Sequence, residues 1–240
     1  MSFDTIQSIF TRIIIKLRNG YDLIRDGHFV IFFQEFLKRM YSTSLSVGLR
    51  RDISTDFKDP EAKVPISIRE LRSTDTGIIL QHGEFSKTNP RLADYQKNLS
   101  ESNLPQCFVA VSENDDPCYM QWLIGPEHNN KLSEIFGNAF PQLEKNEALL
   151  EAAFMSPSYR GKHIMPAAMS RISKQARNLE GISYVNTFVD IQNIPSLKGC
   201  KRAGFSPYLL RKDHWFLFRR EISFSQLPKD ILARYEAVTA

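Results

Sequence analysis

The stretch SPSYRGKHIMPAAM, Ser156 to Met169, decides the reading of this chain. It closes an apolar run, passes through a tight turn, and opens a helix with Pro166 in its first turn, where a missing N–H costs nothing. A strand that feeds a helix across so short a turn leaves the first helical N–H groups unpaired, and the helix dipole adds to their attraction for an anion. Phosphate is the usual guest. Arg160 and Lys162 supply mobile positive charge, and Gly161 lets a ligand approach the backbone closely. By itself the pattern is weak, because many strand-to-helix turns carry a Gly and a cation without a ligand.

The surrounding pattern alternates short strands and helices. Leu149 to Met155 reads as the strand before the turn and Ile164 to Asn178 as the helix after it, closed by Gly181. Downstream come a strand from Tyr184 to Asp190, a short helix from Ser196 to Ala203 closed by Gly204, and strands over 208–212 and 215–221. Upstream, Cys107 to Val111 and Cys118 to Ile124 flank the turn-rich SENDDP as a hairpin, and PISIREL alternates as a strand within 64–71. Asp75 is placed as an N-cap, followed by helices over 76–85 and 92–99. The insertion from Gly125 to Asn146 carries a helical piece around 132–140, and with 85–91 it is expected to form a wall of a binding site. The aromatic residues Trp122, just before it, and Phe136 and Phe140, within it, suit either a binding wall or a core.

Residues 1–63 read as a helical extension and linker, 64–222 as the main domain, and 223–240 as a tail with a short helix. Ile6, Phe10, Ile13, Ile14 and Leu17 recur at helical spacing, and Phe29 to Tyr41 forms a second apolar segment ending near Lys38 and Arg39. Ser42 to Lys63 is loop-like. Residues 1–51 hold eight Lys/Arg against four Asp/Glu, so this extension carries an excess equal to the whole-chain net charge of +4. It is expected to pack on the main domain or on a second subunit of a homodimer, or, through residues 1–45, to make a peripheral contact with a membrane surface. There is no apolar run long enough to span a bilayer and no secretory signal, so a cytoplasmic or membrane-associated location is expected. Three cysteines without CxxC spacing indicate neither a disulfide framework nor a metal site. The main domain has no clustered basic stripe, which disfavours nucleic acid as a partner.

A second segment, VDIQNIPSLKGCKRAGF from Val189 to Phe205, joins the first. A strand ending in P-x-x-R-G-K, a helix, a second strand followed by Asn193, and a helix closing in A-G-F together resemble the acetyl-CoA-binding half of the GNAT N-acetyltransferase superfamily. The likeness covers 66–221 in element order and is specific over 149–205. It implies an α/β (α+β) fold with a mixed central sheet flanked by helices, and transfer of an acetyl or other acyl group from acyl-CoA to a small amine acceptor, with an amino sugar as the first guess. It further implies that Arg160, Gly161, Lys162, His163, Ile164 and Met165 wrap the CoA pyrophosphate, while the edge of the strand at Phe154 and Met155 binds the pantetheine amides. Asn193 and Ser196 lie on the pantetheine side, and a backbone N–H near Met155 would stabilise the oxyanion.

Two departures from the family pattern matter. His163 and Met165 stand where the family carries glycine or another small residue, so larger side chains stand at the phosphate turn. Many members also carry a tyrosine eight positions into the N…GF segment as general acid, and that place is Cys200, a thiol that can protonate a leaving thiolate or serve as an apolar filler. Tyr208 and Tyr159 are the other candidate proton donors. For the general base, Glu151 comes first, because strand alternation puts it on one side with Ala153 and Met155. Glu147, Asp190 and His214 follow. The competing expectation is a non-catalytic acyl-CoA-binding or membrane-surface module.

Overall fold

The computed structural model describes residues 29–75 and 106–240. The expected helices over 3–18, 76–85 and 92–99, and the wall segment 85–91, lie outside the described residues. The described elements are α1 (Phe29–Met40), β1 (Tyr41–Asp52), β2 (Ser67–Glu70), β3 (Cys107–Val111), β4 (Pro117–Ile124), α2 (Asn129–Phe136), β5 (Glu147–Met155), α3 (Ile164–Gln175), β6 (Tyr184–Asp190), α4 (Ile194–Arg202), β7 (Ser206–Phe216), β8 (Arg219–Ser225) and α5 (Lys229–Thr239). Eight strands make one mixed sheet in the order β2-β3-β4-β5-β6-β1-β7-β8. The chain divides into a larger unit, Leu45–Arg211 with Phe224–Ala240, and a smaller one, Met1–Ser44 with Lys212–Ser223.

In the larger unit every residue of β3 and β4 is buried, because both faces of these central strands are covered. One face packs Leu150, Leu123 and Val185 against Ala168, Met169 and Ile172 of α3, Leu197 and Cys200 of α4, and Tyr235 of α5. The other face packs Met120, Trp122, Leu149 and Phe154 against Leu132 of α2 and Leu143. The insertion is pinned there by Asn129, whose side chain accepts from the Leu143 N–H at 2.9 Å and donates to its carbonyl at 3.0 Å.

Two expectations are corrected. Residues 42–52, within the stretch 42–63 read as loop-like, belong with Tyr41 to β1, which lies between β6 and β7 and pairs with β6 from Ser46↔Asp190 to Asp52↔Tyr184. The partner strand is more than a hundred residues away in sequence, so no local signal announces the pairing. The last hairpin turns at Leu217 and Phe218, not at Asp213 and His214. Asp213 is held within the hairpin by Arg220, with Nε to Oδ1 at 2.9 Å, and His214 Nδ1 lies 2.9 Å from the Thr43 hydroxyl.

Asp75 does not stand before its helical turn but at its third residue, reaching back to accept the Arg72 N–H at 2.7 Å. It also takes both Nη groups of Arg69 from β2, at 2.6 and 2.9 Å. The Arg69 guanidinium holds this carboxyl below the usual aspartate range. A depressed folded value stabilises the fold above the unfolded value of about 3.9 and loses that contribution as pH falls through the folded value. Asp75→Asn is therefore expected to cost about 2–3 kcal/mol at neutral pH, measured by denaturant unfolding. The difference from the parent should shrink as pH drops below about 4.

Candidate functional site

β5 and β6 run parallel, paired as Glu147↔Tyr184, Ala148↔Val185 and Leu149↔Asn186, and the ladder ends there. Beyond it β5 continues beside β4 to Met155↔Tyr119, while β6 continues beside β1 to Asp190↔Ser46. The facing edges of 150–155 and 187–190 thus diverge into an opening that leads from the sheet's middle to the turn after β5.

That turn is built as a short 3₁₀ segment, Pro157–Tyr159, then Arg160 in extended backbone, and Gly161 and His163 at φ 76° and 56°. Only at those last two positions is the chain left-handed, which explains the glycine preference there and gives His163 a conformation it adopts at some cost. Among the described residues no side chain caps α3, and no acidic residue occupies its first turn, so none of these residues offers an anion to its leading N–H groups. A Cβ built on Gly161 would meet nothing within 4 Å. Arg160 and His163 are exposed, Ile164 is buried, and the Lys162 ammonium lies 4.7 Å from the centre of the Tyr159 ring.

Met165 does not crowd the turn. Its side chain packs against Gly199 of α4, where an added Cβ would lie 3.1 Å from Sδ. The bulk expected to cover the phosphates goes into the interhelical contact instead. The residues present therefore fit a diphosphate at the mouth of α3. Asn193 caps α4, its Oδ1 accepting the Ser196 N–H at 3.3 Å, which leaves its amide nitrogen for another acceptor.

The alternation argument for Glu151 fails. Ala152 sits at φ 56°, and the pairing of β4 with β5 slips by one residue between Trp122↔Glu151 and Met120↔Phe154. This bulge reverses the strand's parity, so Leu149, Ala152 and Phe154 share one face while Leu150 and Met155 share the other. Glu151, opposite Trp122, lies on the α2 face and not with Met155. It is half-buried.

The remaining candidates separate. Glu147 is bound by Arg50, whose Nε also donates to Asn186 Oδ1 at 3.0 Å, so its carboxylate is spent on a buried network. Asp190 accepts the Gln192 N–H at 2.7 Å in an exposed turn. His214 belongs to the smaller unit. Cys200 is wholly buried with its thiol 3.8 Å from Met169 Sδ, and burial pushes its pKa up to about 12. Its thiol therefore faces Met169 of α3 inside the apolar core. Tyr208 packs 6.5 Å from Phe188 and under the Arg50 guanidinium at 4.2 Å, beside the start of the opening, and burial holds its phenol protonated with a pKa of about 12.

Sequence reasoning missed Arg50, Asn186 and Tyr184, which together with Glu147 close the end of the β5–β6 pair opposite the turn. Arg50 stands in the stretch 42–63 read as loop-like. A cavity of about 380 Å³ lined by Arg50, Arg51, Phe57, Tyr184 and Tyr208 lies at that same closed end. Trp122 of β4 is buried in the core, and the insertion's Phe136 and Phe140 are half-buried against it, Phe140 contacting Phe136 and Phe188 at 5.2 and 5.6 Å. Among the described residues no cluster of three or more His, Cys, Asp or Glu could hold a metal.

A family model described as acetyltransferase (GNAT) family matches residues 80–205. Among solved structures, the chain is 14% identical to a GCN5-related glucosamine N-acetyltransferase region of a fungal multi-domain GH3 β-N-acetylglucosaminidase, with a TM-score of 0.51 over 80% of this chain and 22% of that one. It is 16% identical to a GNAT-family acetyltransferase from Colwellia psychrerythraea, with a TM-score of 0.48 over 80% of this chain and 59% of that one. The chain thus spans less than two thirds of either protein. No curated protein matches it in sequence.

Cys200→Ser is expected to leave turnover unchanged while lowering stability by about 1–3 kcal/mol, because a hydroxyl replaces a thiol in an apolar contact. Thermal melting and a thiol-release assay read the two effects separately. A fall in kcat of about 10², roughly the smallest loss expected of a general acid, would return the thiol to the chemistry.

Proposed function

The chain belongs to the acetyltransferase (GNAT) family, and from that premise we propose that it moves an acyl group from acyl-CoA to a small primary amine. The observation that carries this reading is the opening between β5 and β6, which runs from Leu149 and Asn186 to the uncapped start of α3. A pantetheine arm needs such a slot with unpaired strand edges, and a diphosphate needs such a helix mouth.

In this reading the backbone from Arg160 to Met165 holds the pyrophosphate, with Arg160 and Lys162 adding charge-assisted contacts. The open edge of β5 at Phe154 and Met155 takes the pantetheine amides, and the Asn193 amide contributes from the mouth of α4. Bound acyl-CoA supplies the activated thioester. The attacking amine must lose a proton, and the departing thiolate must gain one. Glu151 is proposed as the base, since it is a half-buried carboxylate on the strand that lines the opening. Tyr208, kept protonated and packed on Phe188, is proposed as the donor. An amino sugar is the first acceptor to offer in an amine panel.

Calorimetry with CoA and thiol release over that panel test the proposal. Arg160→Ala should weaken CoA binding by roughly tenfold, the worth of one charge-assisted hydrogen bond. Unchanged affinity would count against this placement of the pyrophosphate. Glu151→Gln and Tyr208→Phe should each lower kcat by about 10² while CoA affinity holds. If both variants turn over normally, proton transfer lies elsewhere.

A further inference from the structure

On α1, Phe33, Phe36 and Leu37 fall on one helix face at i, i+3 and i+4 spacing, and all three are exposed. The turn from β7 to β8 places Leu217 and Phe218 in left-handed backbone, at φ 46° and 64°. Asn-Gly is the usual choice for such a turn, because a β-carbon is penalised there. Here two large apolar residues stand at those positions, each about half exposed, and Phe216 beside them is equally open. Large apolar side chains held half exposed on left-handed backbone point to a contact that these side chains make beyond the fold.

The turn and the helix are one surface. The Leu217 and Phe218 N–H groups donate to the carbonyls of Met40 and Arg39 at 2.9 and 2.8 Å, satisfying the last turn of α1. Phe36 and Phe218 meet edge-on with ring centres 5.3 Å apart. Beside this apolar surface lies a cavity of about 190 Å³ lined by Lys38, Arg39, Ser44, Asp213, Trp215 and Arg220. Its one carboxylate, Asp213, is engaged by Arg220, and the Arg39 and Arg220 guanidiniums lie 5.7 and 5.8 Å from the centre of the Trp215 ring. The cavity is therefore cationic, with an indole at its wall.

We propose that this face of the smaller unit docks on an anionic lipid surface, with Phe33, Phe36, Leu37 and the Leu217–Phe218 tip entering the acyl boundary and lipid phosphates meeting Lys38 and Arg39. The charge pattern selects this occupant. A second copy of the chain, placed face to face, would bring the same cations together across an isologous contact, whereas anionic headgroups neutralise them. A polar face rich in Lys and Arg beside Phe and Leu, with Trp at the boundary, is the pattern of interfacial attachment. Among the described residues no helix is long and apolar enough to cross a membrane, so the contact is peripheral in kind. The proposal stands apart from the acyl-transfer reading and does not depend on it.

The test is co-sedimentation of the full chain with vesicles of phosphatidylcholine alone and of equimolar phosphatidylcholine and phosphatidylglycerol. Binding is expected only to the second, falling as salt rises. The variant Leu217→Asn with Phe218→Gly installs the turn's preferred residues, so it should melt no lower than the parent, yet bind these vesicles about tenfold less or weaker. Undiminished binding by that variant would overturn the proposal, as would equal binding to neutral vesicles or no binding by the parent. A parent dimer that the variant splits would assign the surface to a second copy instead.

Discussion

The ladder between β5 and β6 is only three residue pairs long, and the reach of the whole site follows from where it stops. Pairing at Glu147, Ala148 and Leu149 fixes the closed end, and Arg50 reinforces it by reaching from β1 to Asn186 on β6 and Glu147 on β5. A buried carboxylate and a buried amide are thereby satisfied by one guanidinium, which ties three strands together where they are closest. Past that point each strand finds its partner on the outer side, so the inner edges can part without leaving either strand unpaired on both sides. The opening is a property of strand pairing, not of loop placement, and the turn at Arg160 merely stands at its mouth.

The bulge at Ala152 adds a second constraint on the same strand. One extra residue in β5 leaves Glu151 on the α2 face with Leu149 but brings Ala152 and Phe154 to that face and sends Met155 to the other, an order that a regular pleat would not produce. Burial of Phe154 and Ala152 in the second core cluster holds the bulge in place.

Much of this was legible in the residues, and what was not has identifiable causes. β3, β4, β6 and α3 stand out because each is a contiguous apolar or amphipathic run bounded by Gly, Pro or polar clusters, and the phosphate turn stands out because Gly161 and Pro166 mark its geometry. β1 was hidden although Leu45, Val47 and Leu49 alternate, since its stability comes from a strand more than a hundred positions away. The bulge was hidden because EALLEAAFM contains no glycine to flag a left-handed residue, and the assignment of Glu151 to the Met155 side failed for that reason alone. The Leu217–Phe218 turn escaped notice on the same ground, a left-handed pair written without Asn or Gly. The Arg50 network could not be read at all, because it joins three strands that are remote in sequence.

The contact between Met165 and Gly199 makes these two positions a single unit of volume. A methionine at 165 fits because α4 has no side chain at 199, and a β-carbon at 199 would lie 3.1 Å from its Sδ, so that the methionine would have to give by a few tenths of an ångström. The departure from the family's phosphate turn is therefore compensated on another helix, nearly three dozen residues along the chain. Divergent relatives that regain a small residue at 165 should regain bulk at 199 with it, so that the mouth of α3 keeps its shape while its sequence drifts.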